Sequence, residues 1–227
     1  MNADELPRNL AEPRGLRLDL DGRLPLAELT AAVNRACDRA EESPAVLVVR
    51  LGTARPDERS WPGRAGIQEV NRWERAVRRI ERLGSVSVAV VSGNCAGPAL
   101  DLLLVADYRI ATADLRLLLP VNDGQFWPGM ALYRLTNQIG AARARQLVLW
   151  GHELTASAAL ETGLVDEANA DVEAAVEAAV LLLGRNAGPE LALRRQLLLE
   201  AHTGSYEDCL GAHLAACDRE LRRVSAC

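Results

Sequence analysis

Lysine is absent from this 227-residue chain, in which all 26 basic residues are arginine. This absence excludes catalysis through a lysine Schiff base. It also leaves arginine as the only permanently charged side chain that can hold a phosphate group. An anionic substrate must therefore be bound by arginine or by backbone N–H groups.

Metal ligands are also scarce. The sequence has three histidines and five cysteines, none of them in a CxxC pair. Widely spaced cysteines of odd number are typical of reduced thiols, rather than of disulfides or a zinc or iron–sulfur site. The histidines are too scattered to indicate a catalytic triad or a metal site. We therefore expect no metal and no bound cofactor.

Charge and hydropathy argue against two further classes of protein. The chain has 31 acidic residues, a formal net charge of -5 and a pI near 5.4, whereas nucleic-acid binding needs a basic face. No apolar stretch is long enough to span a bilayer, and the first residues do not resemble a signal peptide. We expect a cytoplasmic protein with neither nucleic acid nor a membrane as its partner.

Strand and helix patterns alternate along the first half of the sequence. Residues 15–22, 45–52 and 86–91 have the apolar patterns of strands, and helical spacing occupies 26–43 and 67–83. Two short strands are predicted within 107–120. This order predicts an α/β chain with at least partly parallel sheets.

Only helical patterns occur beyond residue 170. They cover residues 171–183, 189–201 and 205–223. We predict a core over residues 1–170 and a helical C-terminal region over 171–227. That region packs either on its own core or on a neighbouring subunit.

The turn "SGNCAGPALD", residues 92–101, joins a predicted buried strand to a helix. Pro98 suits the first position of that helix, because its fixed φ is helical and an N–H there has no partner within the helix. However, turns of this kind often point backbone N–H groups at a substrate oxygen, and proline has none to offer. The sequence leaves open whether Pro98 is only structural.

The stretch "AVVSGNCAGPALDLLLVADYRIATADLRLLLP" resembles the signature of the crotonase (enoyl-CoA hydratase/isomerase) superfamily, and the similarity continues through "WPGMALYRL" to about residue 200. The resemblance implies a crotonase-like ββα spiral core with a helical C-terminal tail. It also implies an acyl-CoA thioester as substrate and an enolate held by two backbone N–H groups. The family's donor positions and their neighbours fall on Ala65, Gly66, Gly97, Pro98 and Ala99.

The same resemblance places the family's two catalytic carboxylates. The first falls on Asp101, which keeps the acid on a shorter stem, and the second falls on Val121, which has none. Asp101 is either an acid/base group or a buried, hydrogen-bonded polar residue. Asp123 can replace the missing acid if its loop folds inward, although a surface-turn role also fits this residue. Together with Pro98, these departures predict weak hydratase activity or none.

A narrower resemblance is to the small crotonase-like accessory proteins that help to form 3,5-dihydroxyphenylacetyl-CoA for dihydroxyphenylglycine-containing glycopeptide antibiotics. It implies a role in dehydration and aromatisation of a polyketidyl-CoA, with a type III polyketide synthase and a sibling crotonase-like protein as partners. A homo-oligomer, a trimer or hexamer, is also implied. The alternatives are an ordinary enoyl-CoA hydratase/isomerase and a scaffolding subunit without activity.

Overall fold

The computed structural model describes residues 15–42, 45–52, 61–186 and 188–225. The first half contains strands β1 to β5 and helices α1 to α3. In chain order they are β1 (Gly15–Leu20), α1 (Leu26–Glu42), β2 (Val46–Leu51), α2 (Ile67–Ile80), β3 (Ser87–Val91), β4 (Asn94–Cys95), α3 (Pro98–Leu103) and β5 (Tyr108–Ala111).

The second half is mainly helical. It contains β6 (Arg116–Leu117), β7 (Val121–Asn122), β8 (Gln125–Phe126), α4 (Ala131–Trp150), β9 (Leu154–Thr155), α5 (Ala156–Glu161), β10 (Glu167–Ala168), α6 (Val172–Leu183), a 3-10 turn (Gly184–Asn186), α7 (Pro189–Thr203) and α8 (Tyr206–Ser225). The chain is therefore α/β with a helical C-terminal tail, as the sequence predicts. None of the helices in the described part of the chain is long and apolar enough to cross a membrane.

The main sheet is parallel throughout, in the order β1-β2-β3-β5-β10. Its central strands are apolar at nearly every position because helices cover both faces. In β2, Leu47 and Val49 face the larger hydrophobic core beside α1 and α2, whereas Val46 and Val48 face a second core beside α6. Two smaller sheets, β4-β6-β9 and the hairpin β7-β8, complete the topology.

Helix α6 belongs to the core, although the sequence assigned it to the C-terminal region. Val176 and Ala179 are buried against Val88 and Ile110 of the main sheet. The first helix of the predicted C-terminal region therefore packs on its own core, which is one of the two alternatives that the sequence leaves open. In contrast, α8 has no buried residue.

Two helices depart from a regular pattern. Helical spacing places Ile67 on the apolar face of α2, but as the first residue of this helix it is 75% exposed. Helix α4 is interrupted at Gly140, whose φ of 76° and ψ of 157° are not helical. This glycine divides α4 into two segments.

Candidate active site

The turn between β3 and α3 depends on glycine at position 97. Gly97 has φ 55° and ψ -125°, a conformation that residues with a Cβ rarely adopt. A Cβ at this position would also lie 3.0 Å from Cγ of Trp61. The indole of Trp61 is thus packed directly against the turn at which the resemblance places the substrate.

Pro98 is the first residue of α3 and is buried. Its ring lies beside Gly22, where an added Cβ would be 3.3 Å from Cγ of Pro98. The structural role of Pro98 as a helix starter is therefore present in the fold. As a proline it still supplies no N–H to the turn.

The other predicted donors make hydrogen bonds within the chain. The N–H of Ala65 donates to the carbonyl of Gly63 at 3.2 Å, and the N–H of Ala99 donates to the carbonyl of Ala96 at 3.2 Å. The N–H of Gly66 donates to Oε2 of Glu69 at 2.9 Å. In this conformation, these three N–H groups are directed at the protein itself, and their predicted contact with an enolate stays a prediction.

Asp101 is the buried acid of this region. It lies on α3 with 4% of its surface exposed, and its Oδ2 accepts a 2.8 Å hydrogen bond from Nε1 of Trp73 on α2. Burial raises the pKa of Asp101 to about 7, and the negative charge of Glu74 acts in the same direction. Asp101 is thus buried and hydrogen-bonded, as one of its two interpretations from the sequence requires, and a pKa of about 7 also suits the other interpretation, an acid/base role that stays a prediction.

Two tryptophans line the surroundings of Asp101. The rings of Trp61 and Trp73 pack edge to face, with centroids 5.5 Å apart and an interplanar angle of 73°. The backbone N–H of Trp61 donates to the carbonyl of Val121 at 2.8 Å. This bond ties the segment before α2 to β7, so the turn, α2 and β7 meet around one pair of indoles.

Arg134 of α4 is a positive charge that acts on Asp101. Its side chain is buried and contacts Glu74 at 3.1 Å and Glu81 at 3.3 Å. Three interactions lower the pKa of Asp101, although less than burial raises it: the hydrogen bond from Trp73, the charge of Arg134 and hydrogen bonding from Trp61.

The hairpin β7-β8 carries the position of the missing second acid. Val121 is half-buried and pairs with Phe126 across the hairpin. Asp123 and Gly124 form its tip, with φ values of 50° and 75°, and Asp123 is exposed. Positive φ at both positions is typical of the tight turns that connect antiparallel strands. The loop does not fold inward here, and Asp123 has the surface-turn role that the sequence offered as its alternative.

Thiol and metal chemistry are not supported in the described part of the chain. No group of three or more potential metal ligands is found there. Burial raises the pKa of Cys95, and it raises that of Cys37 to about 11, so neither thiol is primed as a nucleophile. Cys227 lies outside the described residues, as does most of the loop before Trp61.

Sequence reasoning missed three residues of this site. The helical spacing over 67–83 places Trp73 on the apolar face of α2 and Glu74 on the charged face, and it indicates no further role for either residue. Arg134 was not singled out, although it lies within the motif "WPGMALYRL". Only the three-dimensional structure, in which Arg134 of α4 contacts Glu74 of α2, identifies this charge pair.

Comparisons with known proteins agree with this architecture. The sequence profile described as enoyl-CoA hydratase/isomerase matches residues 68–215. A protein of Amycolatopsis orientalis named enoyl-CoA-hydratase is 44% identical over 209 residues, which are 92% of this chain and 96% of that protein.

Solved structures share the fold at low identity. An enoyl-CoA hydratase from Shewanella pealeana has a TM-score of 0.75 at 17% identity, covering 92% of this chain and 84% of its own. A Thermobifida fusca protein in complex with CoA has a TM-score of 0.71 at 18% identity, covering 96% and 93%. With the profile match and the 44% identical relative, the conclusion is that this chain belongs to the enoyl-CoA hydratase/isomerase family.

Proposed function

We propose that the protein assists the dehydration and aromatisation of a CoA-bound polyketide, as a weak or partner-dependent lyase that contributes to 3,5-dihydroxyphenylacetyl-CoA. The observation that carries this proposal is the site around Asp101. It has one buried carboxyl whose pKa is about 7, but a valine where a second acid is expected.

A single carboxyl of this kind suits loss of water. Removal of water from a β-hydroxy thioester takes a proton from the carbon next to the thioester and returns a proton to the departing hydroxyl. A pKa of about 7 suits Asp101 to both halves of this step, so that one group accepts the first proton and delivers it to the hydroxyl, which leaves as water. Formation of an aromatic ring favours the product and reduces the demand on the site.

Hydration of a simple enoyl-CoA is the reverse of such a step and needs the same groups, but it has no aromatic product to reduce the demand on the site. It requires a base for water, an acid for the carbon, and donors for the enolate. Val121 removes one carboxylate and Pro98 removes one N–H donor. Loss of a single donor of this kind typically costs roughly 10²–10³ in rate. We therefore propose slow or absent turnover of crotonyl-CoA.

A homo-oligomer, a trimer or hexamer, is part of this proposal. Apolar side chains at helical spacing along α8 are exposed to solvent, among them Leu214, Leu221 and Val224. A surface of this kind favours contact with another copy of the chain. Light scattering of the purified protein gives the test, and a monomeric mass at micromolar concentration would contradict it.

We also propose a cytoplasmic site of action beside the synthase, with the thiols reduced. Cys37, Cys95, Cys209 and Cys217 are all free cysteines. This is the state expected in a reducing compartment. Labelling of the protein's thiols in fresh lysate under denaturing conditions tests this point, and disulfide-blocked thiols would contradict it.

The experiment that tests the main proposal compares product formation by a type III polyketide synthase from malonyl-CoA with and without this protein. A sibling crotonase-like protein is added in a second arm, and crotonyl-CoA with this protein alone is the control substrate. Increased aromatic product without crotonyl-CoA turnover supports the proposal. Rapid hydration of crotonyl-CoA without any increase in aromatic product supports the ordinary hydratase instead.

A scaffolding subunit is the second candidate. It is favoured by one observation, namely that the N–H groups of Ala65 and Ala99 are directed at the chain's own carbonyls. The substitution Asp101→Asn separates the candidates, because Asn cannot transfer the proton. If the increase in aromatic product survives this change undiminished, the protein is a scaffold rather than a lyase.

A further inference from the structure

The hydrogen bond between Trp73 and Asp101 joins two helices inside the hydrophobic core. Trp73 lies on α2 and Asp101 on α3, and both are almost fully buried. A large aromatic residue at a buried position needs no polar partner for its ring. Its N–H, however, must be satisfied when buried, and here the partner is the carboxyl of the candidate active site.

The geometry of this bond restricts the carboxyl. Nε1 of Trp73 lies 2.8 Å from Oδ2 of Asp101. An indole N–H only donates, so Oδ2 is held as an acceptor and cannot pass a proton to Trp73. The ring is itself fixed by the edge-to-face contact with Trp61. The carboxyl is thereby restrained in its rotation, and Oδ1 is the oxygen that the bond from Trp73 does not occupy.

We propose that Trp73 is a positioning residue for Asp101: its N–H fixes the rotation of the carboxyl and favours its ionised form, so that proton exchange runs through Oδ1. This inference rests on the proposed function for the identity of the reaction, but not for the behaviour of the carboxyl. Trp73 touches no reacting atom in this account and acts only through Asp101.

Other groups also act on Asp101 from the elements packed around it. Glu74 on α2 raises the pKa of Asp101 through its negative charge, and Arg134 on α4 lowers it. Trp61 acts in the same direction as Trp73. Cys95 on β4 is close enough for the charge of Asp101 to raise the pKa of its thiol. The contribution of Trp73 must therefore be measured with these neighbours unchanged.

The test replaces Trp73 with 3-benzothienylalanine, which has nearly the same shape but sulfur in place of the N–H. A second variant, Trp73→Phe, removes the N–H together with part of the ring. The control places the same sulfur analogue at Trp150, which is exposed on α4. The pKa of Asp101 is followed by the infrared band of its carboxyl, identified by the band's absence in Asp101→Asn.

The expected result is a pKa near 7 in the unchanged protein and a clearly higher pKa in the Trp73 analogue. The Trp150 analogue keeps the original value. In the Trp73 analogue, the transition in the pH profile of aromatic product formation shifts to higher pH together with the pKa of Asp101. An unchanged pKa in the Trp73 analogue overturns the inference, because a residue that only fills space would leave the carboxyl as it was.

Failure of the proposed function gives a different pattern. In that case no variant changes the amount of aromatic product, while the infrared measurement still reports the effect of Trp73 on Asp101. The two ideas are therefore tested by separate readouts on the same variants. If the Phe variant does not fold, the sulfur analogue alone decides the outcome.

Discussion

Arg195 of α7 binds Asp107 of the core through two hydrogen bonds, from Nε to Oδ1 at 2.9 Å and from Nη2 to Oδ2 at 2.5 Å. The guanidinium also donates to the carbonyls of Leu83 and Ser85. Asp107 accepts further bonds from the backbone and side chain of Ser87 at the start of β3. One arginine thus anchors the C-terminal helices to the end of α2 and to the main sheet.

We expect Arg195→Met to lower the free energy of unfolding by about 3 kcal/mol, because it leaves the partly buried Asp107 without its charged partner. The matched control is Arg194→Met, which removes the exposed pair with Glu190. We expect it to lower the free energy of unfolding by less than about 1 kcal/mol. Urea denaturation of both variants checks the difference. Equal losses would mean that the Arg195 pair does not anchor α7.

The raised pKa of Asp101 makes stability depend on pH. Its value of about 7 in the folded protein exceeds its ordinary value of 3.8, so between these pH values the folded state binds the proton more tightly than the unfolded state. The contribution of this carboxyl is therefore complete below about pH 4 and is lost as the pH rises through 7.

Asp101→Asn does not titrate and keeps an oxygen for Trp73. Relative to the unchanged protein, we expect this variant to gain up to about 4 kcal/mol in free energy of unfolding between pH 4 and pH 8. Urea denaturation at a series of pH values gives the measurement. A difference between the two proteins that stays constant over this range would contradict a pKa near 7.

Gly97 provides a test of the packing between Trp61 and the turn. Gly97→Ala introduces both an unfavourable backbone conformation and a Cβ 3.0 Å from the indole. Gly124→Ala is the control, because it also has positive φ but open space around the added Cβ. We expect the control to lower the free energy of unfolding by about 1–2 kcal/mol. Gly97→Ala should lower it by at least about 1 kcal/mol more.

Thermal or urea unfolding of both alanine variants provides the comparison. If the two variants lose the same stability, the indole of Trp61 does not press on the turn in solution. The same proteins can be used with the synthase, since displacement of Trp61 changes the surroundings of Asp101.

Pro98 and Val121 are expected to limit hydration together. Val121→Glu alone should produce little hydration of crotonyl-CoA, because the turn still lacks an N–H donor at Pro98. Pro98→Gly combined with Val121→Glu should raise the rate by roughly 10²–10³ over the single variant. Val121→Gln with Pro98→Gly is the control that lacks the acid. If Val121→Glu alone hydrated crotonyl-CoA as fast as the double variant, Pro98 would not limit the rate.

Local patterns were sufficient to predict the larger elements of the fold. The runs that become β2 and β3 are apolar on both faces, and α1 and α2 have clear helical spacing, so their bounds agree closely with the structure. The two-residue strands β4 and β9 contain no periodicity to detect, whereas β5 and β6 lie in the segment 107–120 where two short strands are predicted. Asp123 lies in the surface turn that the sequence offered as one of its two interpretations.

The candidate site, too, could be predicted only in part from local patterns. The family signature placed Asp101 on α3, but the partner of its carboxyl lies 28 positions earlier on another helix. Arg134 and Glu74 are separated by 60 positions and meet only when α4 packs beside α2. A local sequence window contains no information about such contacts, because each residue taken alone has an ordinary place on its own helix.

The interruption of α4 at Gly140 separates two environments on one helix. The segment before it contains Arg134, and also Gln138, whose amide donates to the carbonyl of Leu104 at 2.7 Å. The segment after it ends in the exposed side chains of Leu149 and Trp150. Since Gly140 is not helical, the register of the segment before it does not fix the register of the segment after it. The two segments can therefore face different surroundings, and the contacts of Arg134 with Glu74 and Glu81 do not depend on the direction of the exposed end of the helix.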